Sequence, residues 1–478
     1  MVTVVSGTAL AASPFDAGDR AQLFVDQALV QSAKDVVFTF HPATKHPKNP
    51  LVKADRPEDG WRVALCGSVM YDEDEKLFKM WYLGNNTLYA TSQDGLAWQK
   101  HDVVWKSYMF ASVIKDKADP APARRYKIIA WCPNAPGVKT PGYPETIRSG
   151  YNTSISPDGK QIAVFNTDKT ICPHGDVITG YYDRQRQLYV AFPKIMTETR
   201  GFRRRCFSII TSKDFVTWTD PKPAFVPDER DDEGALARIE EARPILDATD
   251  NPKIMRTEFY GIGVYQHESC VIAFPWIFTI NGTGRVGVQE GPGEVQVAIS
   301  RDLERWERPF RQPCIPRGKP GEWDCGFFWT PNEAVRFGDE IRLYYAASNY
   351  GHGHRCQKQP EGRLTQYTAS IGLATWKLDR FVSADAPAAG GTLTTVPLVF
   401  SGNRLELNAA TKDGGSIVVE LLDTAGKTLA RSKPIVGDSL RHTVTWQDDV
   451  KIGHLAGQPV SLKFLLKSAE LYSSAFRP

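Results

Sequence analysis

The chain has 478 residues and a formal net charge of +3, from 58 basic and 55 acidic side chains. That balance gives no electrostatic reason to expect a nucleic-acid partner, and no run is long and apolar enough for a membrane-spanning helix. Twelve Trp and an aromatic share of 11 % suit a β-rich core, or a surface whose flat rings stack on sugars.

The chain opens MVTVVSGTALAAS. ALAAS has the small residues of an export cleavage site, but the basic stretch that should precede it is missing. Residues 1–21 therefore read as the end of a signal or as a disordered tail, and a secreted or periplasmic location is the expectation. The eight Cys (66, 132, 172, 206, 270, 314, 325, 356) show no CxxC pair and no metal-like spacing. They read as small buried hydrophobes; their even number permits disulfides in an exported protein. No cofactor or metal is expected.

From residue 22 onward almost nothing carries a helical period. Short apolar or alternating runs are broken by Gly, Pro, Asn and Asp, which is the texture of strands and hairpins. The heptad SQDGLAW (Ser92–Trp98) returns as SKDFVTW from Ser212 and SRDLERW from Ser300. Each copy follows the same order: strand, acidic or Asp-led turn, strand, turn, strand. A fourth copy keeps Ser156-Pro157-Asp158-Gly159 and loses the Trp. A fifth, GFFWTPNEAVRFGDEIRLYYAASN followed by ASIGLATWKLDRFVS, lacks the Ser-x-Asp turn. Five four-stranded antiparallel units that cannot bury both faces alone must pack side by side. The expected fold is all-β, a five-bladed propeller over 22–384 with loop insertions at Pro133–Arg148 and Pro227–Arg256. After the small-residue linker SADAPAAGG, alternating strands with Gly-rich turns predict a β-sandwich over 385–478. The heptad itself reads as structure: Ser and Asp cap backbone N–H groups in a turn, and the Trp packs between neighbouring blades.

The heptad resembles the sialidase Asp-box, one residue shorter, and looks like the outer hairpin of five-bladed glycosidases. LFVDQALV, KMWYLG, RRYKI, EFYGIGV, VQVAISRDLERWERP, GEWDCGFF and GTLTTVPLVF with LELN resemble the five-bladed glycoside hydrolases and phosphorylases of families 32, 43, 68, 117 and 130. The added C-terminal sandwich is most similar to family 32. The resemblance implies a glycosidase acting on an oligo- or polysaccharide. It carries no fructan specificity, because the WxNDPNG, RDP and EC motifs of family 32 are absent.

In a propeller the innermost strand of each blade lines a central funnel, so acids at the heads of those strands are the candidates for catalysis. Asp176, Glu258 and Asp324 stand there at nearly the same phase; Trp61-Arg62 and Ser107-Tyr108 hold the corresponding places in blades one and two. Glycoside hydrolysis needs two carboxyl groups. Glu258 is assigned the general acid, because Phe259 and Tyr260 would desolvate it. Asp176 is assigned the base or nucleophile, and Asp324 a tuning or sugar-binding role, with the two Asp interchangeable. Asp26, on a strand that would close the ring, and Glu240 and Glu241, on a long loop, are rival acids. Trp61, Arg62, His174, Arg203, Tyr260, Trp323, Trp329, His352 and His354 are the candidate sugar contacts, and Arg203–Arg205 could hold a phosphate or uronate. Three activities compete. A hydrolase needs two working carboxyl groups at about 5–9.5 Å. A non-catalytic glycan-binding propeller would have its acids paired with Lys and Arg. A phosphorylase similar to family 130 would have one acid, with Arg and His opposite for phosphate.

Overall fold

The computed structural model describes residues 13–105, 109–162, 164–165, 171–172, 175–246, 249–284, 287–353 and 367–478, less 133–149. It divides into two compact units: Pro42–Lys377, and the described residues up to His41 together with Leu378–Pro478. The division differs from the expected boundaries at 22 and 384, because the N-terminal strands belong with the C-terminal sheet. Residues 13–21 are not a tail: Phe15–Gly18 is a strand, paired in parallel with Leu398–Phe400. The start of the chain, 1–12, lies outside the described residues.

Unit 42–377 is a five-bladed β-propeller. Blades one to three are meanders whose strands neighbour each other in chain order. Blade one is Ala64–Asp72, Leu77–Leu83, Thr87–Ser92 and Gln99–Trp105; blade three is Ile178–Asp183, Leu188–Thr199, Phe202–Ser212 and Lys222–Phe225. Blade four builds on Arg256–Gln266 and Val271–Ile280. Blade five runs Phe328–Trp329, Glu340–Ser348 and Ala369–Lys377, and its outer strand is Thr44–Lys45, paired with Thr375 and Ala374. The ring is thus closed by Thr44–Lys45. The strand expected to close it, with Asp26, falls in the other unit, where Asp26 is buried.

The cores lie between blades, as units with two apolar faces require. Trp81 and Tyr89 of blade one pack with Ala111, Val113 and Ile128 of blade two; Tyr181 and Phe192 of blade three pack with Phe259, Ile262 and Val264 of blade four. Polar struts repeat as well. Asp72 ends the inner strand of blade one, accepts the backbone N–H groups of Asp74 and Glu75, and takes Lys79 at 2.7 Å. Tyr126 of blade two donates to it across the gap at 3.2 Å. Asp116 repeats the arrangement one blade on, capping Ala118 and Asp119 and accepting from Tyr189 of blade three.

The heptad is the structural turn the sequence suggests. Asp94 accepts the N–H groups of Leu96 and Ala97 at 2.8 and 2.9 Å, and Ser92 accepts that of Gly95. Asp158, Asp214 and Asp302 do the same in their copies. The residue after the Asp sits in the left-handed region: Gly95 at φ +76° and Gly159 at +74°, but Phe215 at +66° and Leu303 at +67°. Glycine is free there, whereas Phe215 and Leu303 bear the strain and are held by burial in the inter-blade cores. Trp98 packs on Tyr344 of blade five at 5.6 Å, and Trp306 on Phe192 and Phe225 of blade three. Where the fourth copy lacks its Trp, Trp81 of blade one reaches across and donates to the Gly159 carbonyl. In blade five Trp376 stacks on Phe274 of blade four.

The other unit carries a nine-stranded curled sheet beside the two-stranded pairing of Phe15–Gly18 with Leu398–Phe400. Its strands Arg404–Leu422 and Ser461–Arg477 are long, and their pairing shifts register at Asn408/Ala409 and Thr411/Ser416. The shifts let one sheet fold over its own core of Leu405, Ile417, Phe464 and Leu471. The insertion at 227–256 is not all loop. Glu229–Glu233 and Ala235–Ala242 are short helices, the first opened by a capping box between Asp228 and Asp231. Cys66, Cys172, Cys206, Cys270, Cys314 and Cys325 are buried free thiols; the side chains of Cys132 and Cys356 lie outside the described residues.

The heptad turns carry an acid-labile component of stability. The N–H groups of Thr217 and Val216 hold the Asp214 carboxyl down to about 2. A carboxylate whose folded value is depressed stabilises the fold above its unfolded value and loses that contribution as pH falls. The urea midpoint should therefore drop between about pH 5 and pH 2. Asp214→Ala should cost on the order of 1 kcal/mol at pH 7 and flatten part of that drop, measured by urea unfolding across pH.

Candidate functional site

Asp176 stands two residues before the inner strand of blade three. Its backbone is fixed by Gly175, at φ +106°, where any Cβ would collide with the Tyr151 hydroxyl. Tyr151 in turn donates to the Val177 carbonyl at 2.8 Å. Asp176 is the one candidate acid of the three with a partly exposed side chain, at 36 %.

The cations that meet it come from an overlong hairpin. The middle strands of blade three run on to a two-residue turn at Arg200-Gly201, both with positive φ, as such hairpins require. Side chains alternate along the strands. Lys194, Met196 and Glu198 therefore share a face with Phe207, Arg205 and Arg203, their respective cross-strand partners. Lys194 is buried and pairs with Asp176. Arg205 reaches over to blade four and pairs with Glu258. Arg204 points the other way, into Asp232 and the Thr257 carbonyl. Arg203 is exposed further out on the Arg205 face.

Glu258 is fully buried on the inner strand of blade four, between Arg205 and Arg256, whose Nε lies 2.7 Å from it. Both carboxylate oxygens are occupied, so the expected desolvated proton donor is instead the counter-ion of two guanidinium groups. Phe259 does not cover it: its ring lies in the core between blades three and four. A register shift between Phe259 and Ile262 re-aims the strand. The Tyr260 ring then lies 4.7 Å from Lys194 Nζ and 5.4 Å from the Arg205 guanidinium. His352 packs 4.7 Å from Tyr260 and close to Phe278 and Phe327. Burial works to push the Asp176 carboxyl up. Lys194, with Arg205 and His352 behind it, outweighs burial and holds it below the usual carboxylate range. Burial pushes the Tyr260 phenol and the Cys66 thiol up, so both remain protonated.

Asp324 does not join this group. The loop before blade five turns its carboxylate toward the closing strand, where Lys45 lies at 2.7 Å and Tyr345 donates at 2.9 Å. Trp323 stacks on Tyr345 beside it. Trp61 and Trp329 both lie against Arg62. Glu240 and Glu241 lie on the inserted helix Ala235–Ala242, Glu240 paired with Arg243 and Glu241 at 3.7 Å from Arg317. His174, His354, Ser107 and Tyr108 lie outside the described residues. The structure therefore unites Asp176, Glu258, Tyr260 and His352 and leaves Asp324 and Trp323 at the ring closure. It brings in Arg205, from the Arg203–Arg205 run expected to hold an anion, and adds Lys194 and Arg256. The signal for Arg205 and Lys194 was strand alternation in KIMTE and FRRRC, carried past the normal length of a blade strand. Among the described residues no three His, Cys, Asp or Glu side chains gather as metal ligands would. Two grooves, of about 160 Å³ beside His267 and about 500 Å³ beside Tyr89 and His101, involve none of these residues.

No family profile matches the sequence, and no curated protein is similar to it. Among solved structures, the chain is similar to a protein titled a glycoside hydrolase, at 14 % identity and a TM-score of 0.43, over 70 % of this chain and 92 % of that one. It is similar to a β-1,2-mannobiose phosphorylase from Listeria innocua, at 10 % identity and 0.43, over 71 % and 97 %. A family 43 arabinoxylan arabinofuranohydrolase from Bacillus subtilis is also similar, at 10 % identity and 0.39, over 91 % and 99 %.

The two funnel acids should separate by stability. Glu258→Gln leaves Arg205 and Arg256 facing each other without a counter-ion and should cost about 3–5 kcal/mol. Asp176→Asn also strands a buried cation, but Lys194, unlike a guanidinium, can release its proton, so the cost should be smaller, about 1–2 kcal/mol. Denaturant unfolding of the two variants checks the difference.

Proposed function

We propose that the funnel is a carbohydrate-active site in which Asp176 is the one working carboxyl group. The basic side chains around it take inorganic phosphate, so that a glycosidic bond is broken by phosphorolysis. One observation carries this reading: a single partly exposed carboxylate lies among Lys194, Arg205 and His352, while the other two candidate acids are buried in ion pairs. Hydrolysis by two carboxyl groups would need Glu258 or Asp324 to be available to water or to a leaving group.

In phosphorolysis the co-substrate supplies the nucleophile. A phosphate oxygen bonds to the anomeric carbon and the glycosidic C–O bond breaks. The leaving oxygen takes a proton from Asp176, and the products are a sugar 1-phosphate and the shortened glycan. Asp176 is an anion while Lys194 faces it alone. A phosphate arriving as its monoanion competes for Lys194 and Arg205, raises the affinity of Asp176 for a proton and passes its own to it, so that Asp176 becomes the donor and the phosphate dianion the nucleophile. Tyr260, half-buried and neutral, offers a ring face and a hydroxyl to the sugar.

Glycan binding without catalysis is the second reading, favoured by the fact that all three acids have cationic partners. Both are tested by incubating the full chain with a panel of oligosaccharides, with and without inorganic phosphate, and following phosphorus resonances. Sugar 1-phosphate should form only when phosphate is added, and Asp176→Asn should slow it about 10²–10⁴-fold. Cleavage at the same rate without phosphate would mark a hydrolase; binding without turnover in either condition would leave the second reading.

A further inference from the structure

At the funnel end of the ring, one half-buried cation meets rings instead of an acid. Lys194 pairs with Asp176, Arg205 and Arg256 share Glu258, and Lys45 holds Asp324. Arg62 stands two residues before the inner strand of blade one, half-buried. Among the described residues, no carboxylate pairs with it. Its partners are rings: the guanidinium lies 4.4 Å from the centre of Trp61 and 5.7 Å from that of Trp329, on the inner strand of blade five. Tyr367 braces Trp61 at 5.2 Å. The charge of Arg62 acts on the Tyr260 hydroxyl, and it acts on the Cys66 thiol together with those of Asp176 and Lys194. Arg62 therefore belongs to the same funnel.

Stacking occupies the faces of a guanidinium and leaves the N–H donors around its rim. A half-buried cation without an anion has lost hydration and received only the ring quadrupoles in return. A ligand that brings the anion makes good the deficit. The rim matches a planar carboxylate in a two-bond fork, and the neighbouring indoles offer flat apolar area for a pyranose ring. A carboxylate fixed to a stacking sugar ring is a uronic acid. The Lys194 group differs, with a point charge and an imidazole beside an acid, and suits a tetrahedral anion.

We propose that Arg62, backed by Trp61 and Trp329, reads the carboxylate of a hexuronic acid residue, so that the glycan taken by the funnel is acidic. This rests on the funnel being a glycan site and names the class of sugar it takes.

Calorimetric titration of the full chain tests it, with oligogalacturonate, oligomannuronate and glucuronoxylan oligosaccharides and with the carboxyl-reduced form of each. At least one acidic series should bind, and its reduced form should bind on the order of 30-fold more weakly. Arg62→Met should bring the acidic form down to the affinity of the reduced one. Arg62→Lys, which keeps the charge but not the fork, should recover part of the difference and guards against a folding failure. Equal binding of acidic and reduced forms by the wild type, or an equal loss of both in Arg62→Met, overturns the proposal while the glycan reading stands. If no glycan of either kind binds, both fall. If inorganic phosphate displaces the acidic oligosaccharide and Arg62→Met weakens phosphate by the same factor, Arg62 serves the co-substrate and the proposal fails alone.

Discussion

A propeller blade has two apolar faces and no means of covering both, so the whole ring depends on being closed. Here closure is made by the segment from Thr44 to Val52, which follows the last strand of blade five, Ala369–Lys377. Thr44–Lys45 completes blade five, and Lys45 extends from that short strand to a buried carboxylate, Asp324, which also accepts from Tyr345. Beyond the Thr44–Lys45 pairing, His46 and Leu51 donate to the Leu373 and Ile371 carbonyls, and Ile371 donates to that of Val52. The buried ion pair adds a directional contact, and because removing one partner would strand the other charge away from water, it resists opening. The Tyr and Asp struts between blades one, two and three hold only while that last gap is filled.

Charge in the funnel follows from a different feature, the overlong hairpin of blade three. Its extra residues project past the blade, and strand alternation places Lys194 and Arg205 on one face. Glu258 then serves as the fixed counter-ion that keeps Arg205 extended and ordered. With Arg62 and Arg256, four cations face two carboxylates, Asp176 and Glu258. An environment with that imbalance favours an anionic ligand over a neutral one and favours the deprotonated form of an acid that enters it.

The repeat was legible in the sequence because it is local. Ser-x-Asp-x-x-x-Trp places its cap, its left-handed residue and its inter-blade Trp within seven positions, and all three act as turn chemistry predicts. Asp176 was legible for a similar reason, standing next to its own inner strand. Glu258 and Asp324 share its position relative to a strand, but their behaviour is decided by Arg205, Arg256 and Lys45, which reach them from other strands or from the far end of the chain. Spacing reports where a backbone begins a strand; it does not report which cation arrives at the side chain. Asp26 was misplaced because the apolar run around it suits a sheet in either unit, and burial chose the curled one. The helices at 229–242 replace an expected loop through the acidic cap DERDDE, whose capping box was visible but lay inside an otherwise helix-poor chain.

The strand at Thr44–Lys45 also has a consequence in time. It leaves the ribosome before any blade exists, yet its partner, Ala369–Lys377, is among the last propeller residues to be made. The same holds for the curled sheet, which combines residues near the start of the chain with Leu378–Pro478. Both units therefore need contacts between distant parts of the sequence, a topology that folds slowly and leaves strand edges unpaired meanwhile. Blades one to four can form as they emerge, but neither unit is complete until synthesis has passed it, and the earliest strands must wait uncovered.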